Sequence, residues 1–227
     1  MLFRSTTNAR DNVKALSYWP SNKYLNIWVV RSIENTNGGA GVVIGFALFP
    51  GGAAATDGVV LRYDYTGEIG AAATTAGAGR TATHEVGHWL NLHHIWGDAT
   101  CGNDFVNDTP TQEMANMSIC PTFPHVSNCT GSAPNGDMFT NYMDYTNGPC
   151  QNMFSIGQAA RMNAALSSAT SGRNNLWTTA NLIATGTNGT TGAPTSSQTL
   201  SLSSRLNQCP VPAPRSYGGS NSPSKTS

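Results

Sequence analysis

Histidines 84, 88 and 94 constrain this chain more than any other residues in it. His84 and His88 are four apart, so on a helix they project from one face, about one turn apart, and can grip a single ion. Glu85 stands between them, with its side chain rotated toward the side of such an ion that the histidines leave open. His94 follows His88 by six residues, which on a continuous helix would carry it about 240° round, to the wrong side. Convergence of all three therefore requires the helix to stop and the chain to return. Asn91 sits where that stop must fall, and asparagine is the commonest non-glycine residue in the left-handed conformation that ends helices. His93 competes for the third place but is one residue short of the spacing. The pattern amounts to three neutral imidazoles with a fourth position left for water, which is how a catalytic rather than a structural zinc is held.

Around this cluster the chain reads as α+β. Residues 24–31 (YLNIWVVR), 41–49 (GVVIGFALF) and 58–65 (GVVLRYDY) are strand-like runs of β-branched and aromatic residues. Pro20–Ser21–Asn22, Asn37–Gly38–Gly39 and Pro50–Gly51–Gly52 punctuate them. Residues 71–79 are small and read as a loop. A helix is expected over residues 81–91, with Val86, Trp89 and Leu90 available for a buried face. Residues 95–148 are turn-rich. Ser155–Ile156–Gly157–Gln158 then fits a capping box, and Ile156, Ala159, Ala160, Met162, Asn163 and Leu166 continue at helical spacing. Residues 186–227 contain no Asp or Glu and many Ser, Thr, Gly and Pro, the composition of a linker or disordered tail behind a domain spanning 1–185.

Lys plus Arg and Asp plus Glu number 12 each, so charge offers no reason to expect nucleic acid or an anionic membrane as a partner. No run approaches the roughly 18–20 apolar residues of a membrane helix. The first ten residues lack the basic and apolar regions of a signal peptide, which implies either removal with upstream sequence or a fragment. Charged residues are only 11% of a hydroxyl-rich chain, a surface common in exported bacterial proteins. Cys101, Cys120, Cys129 and Cys150 contain no CxxC, so two disulfides and an oxidising compartment are expected rather than a zinc knuckle. Four cysteines allow three pairings, and their spacing does not choose; Cys209 is left over.

The run His84–Glu85–Val86–Gly87–His88–Trp89–Leu90–Asn91–Leu92–His93–His94 resembles the extended metzincin motif HExxHxxGxxH, with Asn91 in place of the usual glycine. Asn141–Tyr142–Met143–Asp144–Tyr145 resembles the Met-turn that underlies the metal. Together with Gly157–Gln158–Ala159–Ala160–Arg161–Met162 these residues are similar to the pappalysin family of zinc metallopeptidases, in its bacterial cytophagalysin-like branch, over about residues 19–186. The resemblance implies a metzincin-like catalytic domain: a twisted mixed sheet, an active-site helix and an irregular, disulfide-clamped C-terminal subdomain. It implies that His84, His88 and His94 bind zinc, that Glu85 is the general base, that Met143 is the Met-turn residue and that Tyr145 stabilises the oxyanion. It also implies disulfides Cys101–Cys129 and Cys120–Cys150, and a calcium loop with Asp104, Asp108 and Thr109 as oxygen donors.

The expected activity is secreted endopeptidase action on a protein or peptide, with Glu85 deprotonating water at the zinc and passing the proton to the leaving amine. The substrate would lie antiparallel to an edge strand, drawn from either 41–49 or 58–65. The family's preference for basic residues after the cleaved bond is not expected here, because no acid lies between Tyr145 and Cys150. A metzincin domain also begins with an additional strand and a long backing helix, and pappalysins carry a pro-segment. None of these is expected ahead of residue 24, so the domain reads as N-terminally incomplete. Two other classes compete: a peptidase with Glu113 as the third ligand, and a non-catalytic zinc-containing binding module or inactive fragment.

Overall fold

The residues that read as strands assemble into one four-stranded sheet in the computed structural model, which describes residues 2–3, 10–36, 41–72, 77–117, 120–129 and 135–189. Strands β1 (Leu2–Phe3), β2 (Ile27–Val30), β3 (Gly45–Ala47) and β4 (Val59–Arg62) are ordered β1-β2-β4-β3. β1 runs parallel to β2 and β2 parallel to β4, while β3 lies antiparallel on the outside of β4. Register places Trp28 opposite Val60 and Leu61 between Val29 and Gly45, so the two faces of the pleat alternate cleanly.

One face carries Trp28, Val30 and Val60, packed against Val13 from the 3-10 helix Asp11–Leu16. The other carries Val59 and Leu61, packed against Trp89, Val86 and Ala82 of helix α1 (Arg80–Trp89). Leu166 of α2 (Ile156–Ser167) and Leu176 join this second cluster. A third helix, α3 (Thr179–Thr185), closes the described chain and ends on Gly186 at φ 72°.

The strands are shorter than expected, for local reasons. Arg62 grips the Asp64 carboxylate with two nitrogens at 2.5 Å, and the Thr66 hydroxyl donates to the Arg62 carbonyl. These bonds curl Tyr63–Tyr65 into a 3-10 turn where the third strand was expected to continue. The expectation that no strand precedes residue 24 is corrected by β1, whose two residues are too short a run for periodicity to register. α3 and the 3-10 helices Asp11–Leu16 and Thr170–Asn175 were likewise not read from the sequence.

α1 is anchored from behind by a buried ion pair. Arg173 is fully buried and reaches the Asp57 carboxylate at 3.0 and 3.2 Å. Its Nε donates to the Trp89 carbonyl, and its guanidinium lies 3.9 Å from the centre of the Trp89 ring. Trp89 Nε1 donates to the same carboxylate. A cation on the last carbonyls of a helix complements the negative end of its dipole, and desolvation of both charges makes loss of either partner expensive.

Met1–Gly189 form one unit and Thr190–Ser227 a second. The second, including Cys209 and most of the expected tail, lies outside the described residues, as do 73–76 of the expected loop. No helix among the described residues is long and apolar enough to cross a membrane.

Candidate metal centre and active site

α1 presents His84, Glu85 and His88 to the interior, all three buried. The helix then stops as the histidine spacing demands. Asn91 adopts φ 74°, Leu92 N–H donates to the Gly87 carbonyl at 2.9 Å and Asn91 N–H to the His88 carbonyl at 2.8 Å, the paired bonds of a Schellman motif. Arg161 of α2 donates to the Asn91 carbonyl at 2.6 Å and clamps the stop. The returning chain brings His94 back to the helix face, held by Ile95 N–H on the Met143 carbonyl.

Each imidazole is oriented through Nδ1. His84 Nδ1 faces the Tyr142 carbonyl at 2.6 Å, His88 Nδ1 the Leu92 carbonyl at 2.7 Å, and His94 Nδ1 the Asp98 carboxylate at 2.5 Å. Carbonyl and carboxylate oxygens only accept, so in the neutral form of each ring the proton sits on Nδ1 and Nε2 keeps a lone pair. The three Nε2 atoms converge: His88 Nε2 is 3.1 Å from that of His84 and 3.0 Å from that of His94. Three lone pairs aimed at one point repel unless a cation lies among them, and a tetrahedral zinc with an open fourth position fits this donor set. Burial, then the neighbouring histidines, pushes the His84 pKa well down, and burial with His94 takes His88 down to about 4, so both rings are neutral near pH 7.

Glu85 is pushed up to about 8 by burial, and its Oε2 has no hydrogen-bond partner among the described residues. A Cβ on Gly45 of β3 would stand 2.6 Å from Glu85 Oε1. The Tyr145 hydroxyl lies 2.9 Å from His94 Nε2, and burial followed by the Glu85 charge raises its pKa. Met143 is fully buried against α1, its sulfur so close to Gly87 that a Cβ there would stand 2.5 Å away. That contact explains a glycine inside the helix, a signal present in the sequence but not read.

The remaining sequence-predicted residues divide. Cys101 is bonded to Cys129 and Cys120 to Cys150. Asp104 accepts from the Thr109 hydroxyl, which lies at 2.8–2.9 Å from both Asp104 oxygens and from the Val106 carbonyl. Asp108 is engaged elsewhere: it accepts from Ser155 Oγ and Gly157 N–H at the start of α2. His93 stays out of the histidine cluster, with Phe49 and Phe105 on its ring. Glu113, the rival third ligand, accepts from Asn128 and is not part of the cluster.

Several positioning residues went unread. Asp98 orients His94, and Trp96 stacks on it at 4.3 Å between ring centres. Asp144, fully buried, accepts from the backbone of Asn116 and Tyr145 and from the side chains of Gln112 and Asn116. Asn141 and Gln158 exchange side-chain amide bonds at 2.6 and 3.1 Å, tying the Met143 turn to α2.

A sheet with an antiparallel outer strand, a helix carrying two of three converging histidines and a buried methionine packed against that helix define a domain of the metzincin type. The chain belongs to the Peptidase_M43 family, described as Pregnancy-associated plasma protein-A, whose model matches residues 8–167. It is 35% identical over 147 residues to an extracellular metalloprotease of Neurospora crassa, covering 62% of this chain and 47% of that protein. An extracellular metalloprotease of Colletotrichum graminicola is 37% identical over 135 residues, covering 53% and 44%. Among solved structures, mature mirolysin of Tannerella forsythia in complex with a cleaved peptide is 42% identical with a TM-score of 0.63, covering 73% of this chain and 62% of that one. The chain thus spans about half the length of the curated relatives it matches. Family membership implies a metal centre of zinc.

Proposed function

We propose that this chain is the catalytic part of a zinc-dependent endopeptidase acting outside the cell, with its domain running over residues 1–185. The observation that carries the reading is the convergence of three Nε2 lone pairs beside a buried carboxylate that lacks a donor. His84, His88 and His94 hold the zinc. Zinc in that position supplies a Lewis acid that polarises a peptide carbonyl and makes water acidic enough to ionise near neutral pH.

Glu85 would accept the proton of the attacking water and return it to the leaving amine, a role for its ionised form, which a neighbouring zinc ion would favour over the neutral acid that burial alone prefers. Tyr145 stands beside His94 with its hydroxyl 2.9 Å from Nε2; once that nitrogen holds zinc, the hydroxyl would be released to donate to the oxygen on which charge develops. The peptide lies antiparallel along β3, the outer of the two candidate strands, since β4 is covered by β2 and β3 on its two sides. The extracellular setting accords with the two disulfides and with the names of the relatives. Mirolysin's capture with a cleaved peptide supports peptide as the substrate class.

Calcium is the second metal of this reading. Asp104, which also accepts from Val106 N–H, gathers with the Val106 carbonyl and the Thr109 hydroxyl as oxygens of the type a hard cation takes, whereas Asp108 accepts from Ser155 and Gly157 at α2.

Metal analysis combined with casein hydrolysis tests the proposal. One zinc per chain, chelator-sensitive cleavage, and a Glu85→Ala variant that keeps zinc but loses about 10²–10⁴-fold in rate are expected. Zinc without cleavage in the unaltered chain would instead favour a binding module.

A further inference from the structure

Oε2 of Glu85 is buried and has no hydrogen-bond partner among the described residues. A general base must nevertheless be kept within a fraction of an ångström of its working position. The surface facing its carboxylate is strand β3. Gly45 pairs with Leu61, and that register puts its missing side chain on the α1 face of the sheet. A Cβ there would stand 2.6 Å from Glu85 Oε1, 2.8 Å from Cγ and 3.0 Å from Cδ, and Glu85 supplies all three nearest atoms. The conflict is thus between one hydrogen-sized side chain and one carboxylate.

The same residue occupies a special place along the edge. Arg62 N–H bonds to the Ile44 carbonyl, and Leu48 N–H to the Gly58 carbonyl. Alternation in an antiparallel pair then turns the backbone groups of Gly45 and Ala47 away from β4, toward the open edge. Gly45 therefore meets the open edge with its backbone and Glu85 with its bare Cα.

We infer that Gly45 is a positioning residue, whose lack of a side chain forms the wall that seats the Glu85 carboxylate directly beneath the edge where a peptide pairs. This inference rests on Glu85 being the base of the proposed peptidase. Any side chain at 45 would leave the metal donors untouched and displace the base.

Gly45→Ala in the full chain should lower kcat about 100-fold while KM stays within about threefold and zinc content stays at that of the unaltered chain. A double-mutant cycle on thermal unfolding supplies a readout independent of turnover. Gly45→Ala should lower Tm by about 5 °C when Glu85 is present, as overpacking does, and by less than about 1 °C in the Glu85→Ala background. Unchanged kcat, or the same Tm loss in both backgrounds, overturns the inference. Full activity in Glu85→Ala alone would instead overturn the base assignment, while the Tm cycle still reports whether Gly45 makes room for that side chain.

Discussion

The sheet and α1 bury Trp28, Val30, Val59, Val60, Leu61 and Trp89, whereas residues 104–158 bury Asp104, Gln112, Asn116, Asn141, Asp144 and Gln158. The first region is held mainly by apolar burial, which has no direction, with the single buried Asp57–Arg173 ion pair behind α1. Among its described residues the second buries only Cys129, Phe139 and Met143 as apolar groups, and relies on two disulfides and on buried polar groups that bond one another. Both regions serve one metal centre. α1 supplies two histidines and Glu85 by helical repeat alone, and the irregular region supplies what lies around them: the Tyr142 carbonyl, Met143 and Tyr145. A directional network can place atoms that belong to no regular element, but it fails abruptly when one member is lost.

Four measurements sharpen or break this comparison. The largest effect should come from Cys120→Ser with Cys150→Ser. Opening a loop of 30 residues costs about 3–4 kcal/mol in the chain-entropy account, read as a lower denaturant midpoint. A loss below about 1 kcal/mol would mean that the polar network alone holds the region. Next, two nearly isosteric substitutions should differ. Asp144→Asn disturbs four donors aimed at one carboxylate and should cost about 2–3 kcal/mol, whereas Leu61→Met should cost less than about 1.5 kcal/mol. The opposite ranking in urea unfolding would erase the distinction.

Gly87→Ala probes the seam between the regions, because its Cβ would press on the Met143 sulfur. Methionine is flexible, so about 1–2 kcal/mol is expected, together with weaker zinc retention against a chelator. Unchanged stability and zinc retention would show that the contact is slack.

The smallest effect concerns Asp108, whose pKa is held down chiefly by the Gly157 N–H, with Ser155 also donating. A depressed carboxyl pKa contributes stability above its unfolded value of about 3.9, and that contribution is lost as pH falls through the folded value. Asp108→Asn should therefore lower Tm slightly at pH 7 and match the unaltered chain once pH has fallen below the depressed folded value. A gap that widens in acid would contradict the sign.

Much of the site was legible because its code is short-range. Two histidines one turn apart and a left-handed stop at Asn91 are local properties of the chain, and so is the capping box, where Ser155 and Gln158 make both reciprocal bonds. Less was legible where partners are far apart. Arg173 meets Asp57 across 116 positions, and Asn91 meets Arg161 across 70. No periodicity links such pairs. The disulfide pairing could not be read from spacing either, and only the family resemblance implied it.

The sequence by itself determined that residues 84–94 form two turns of helix, a stop and a returning histidine, because helical period and left-handed propensity act between near neighbours. It also marked three strands by composition. Only the tertiary structure decided which of them is the edge, since β3 precedes β4 in the chain yet lies outside it in the sheet. The same assembly set Gly45 against Glu85 and Gly87 against Met143. A glycine carries no signal of what fills the space it leaves, and that partner is chosen only when distant segments pack together.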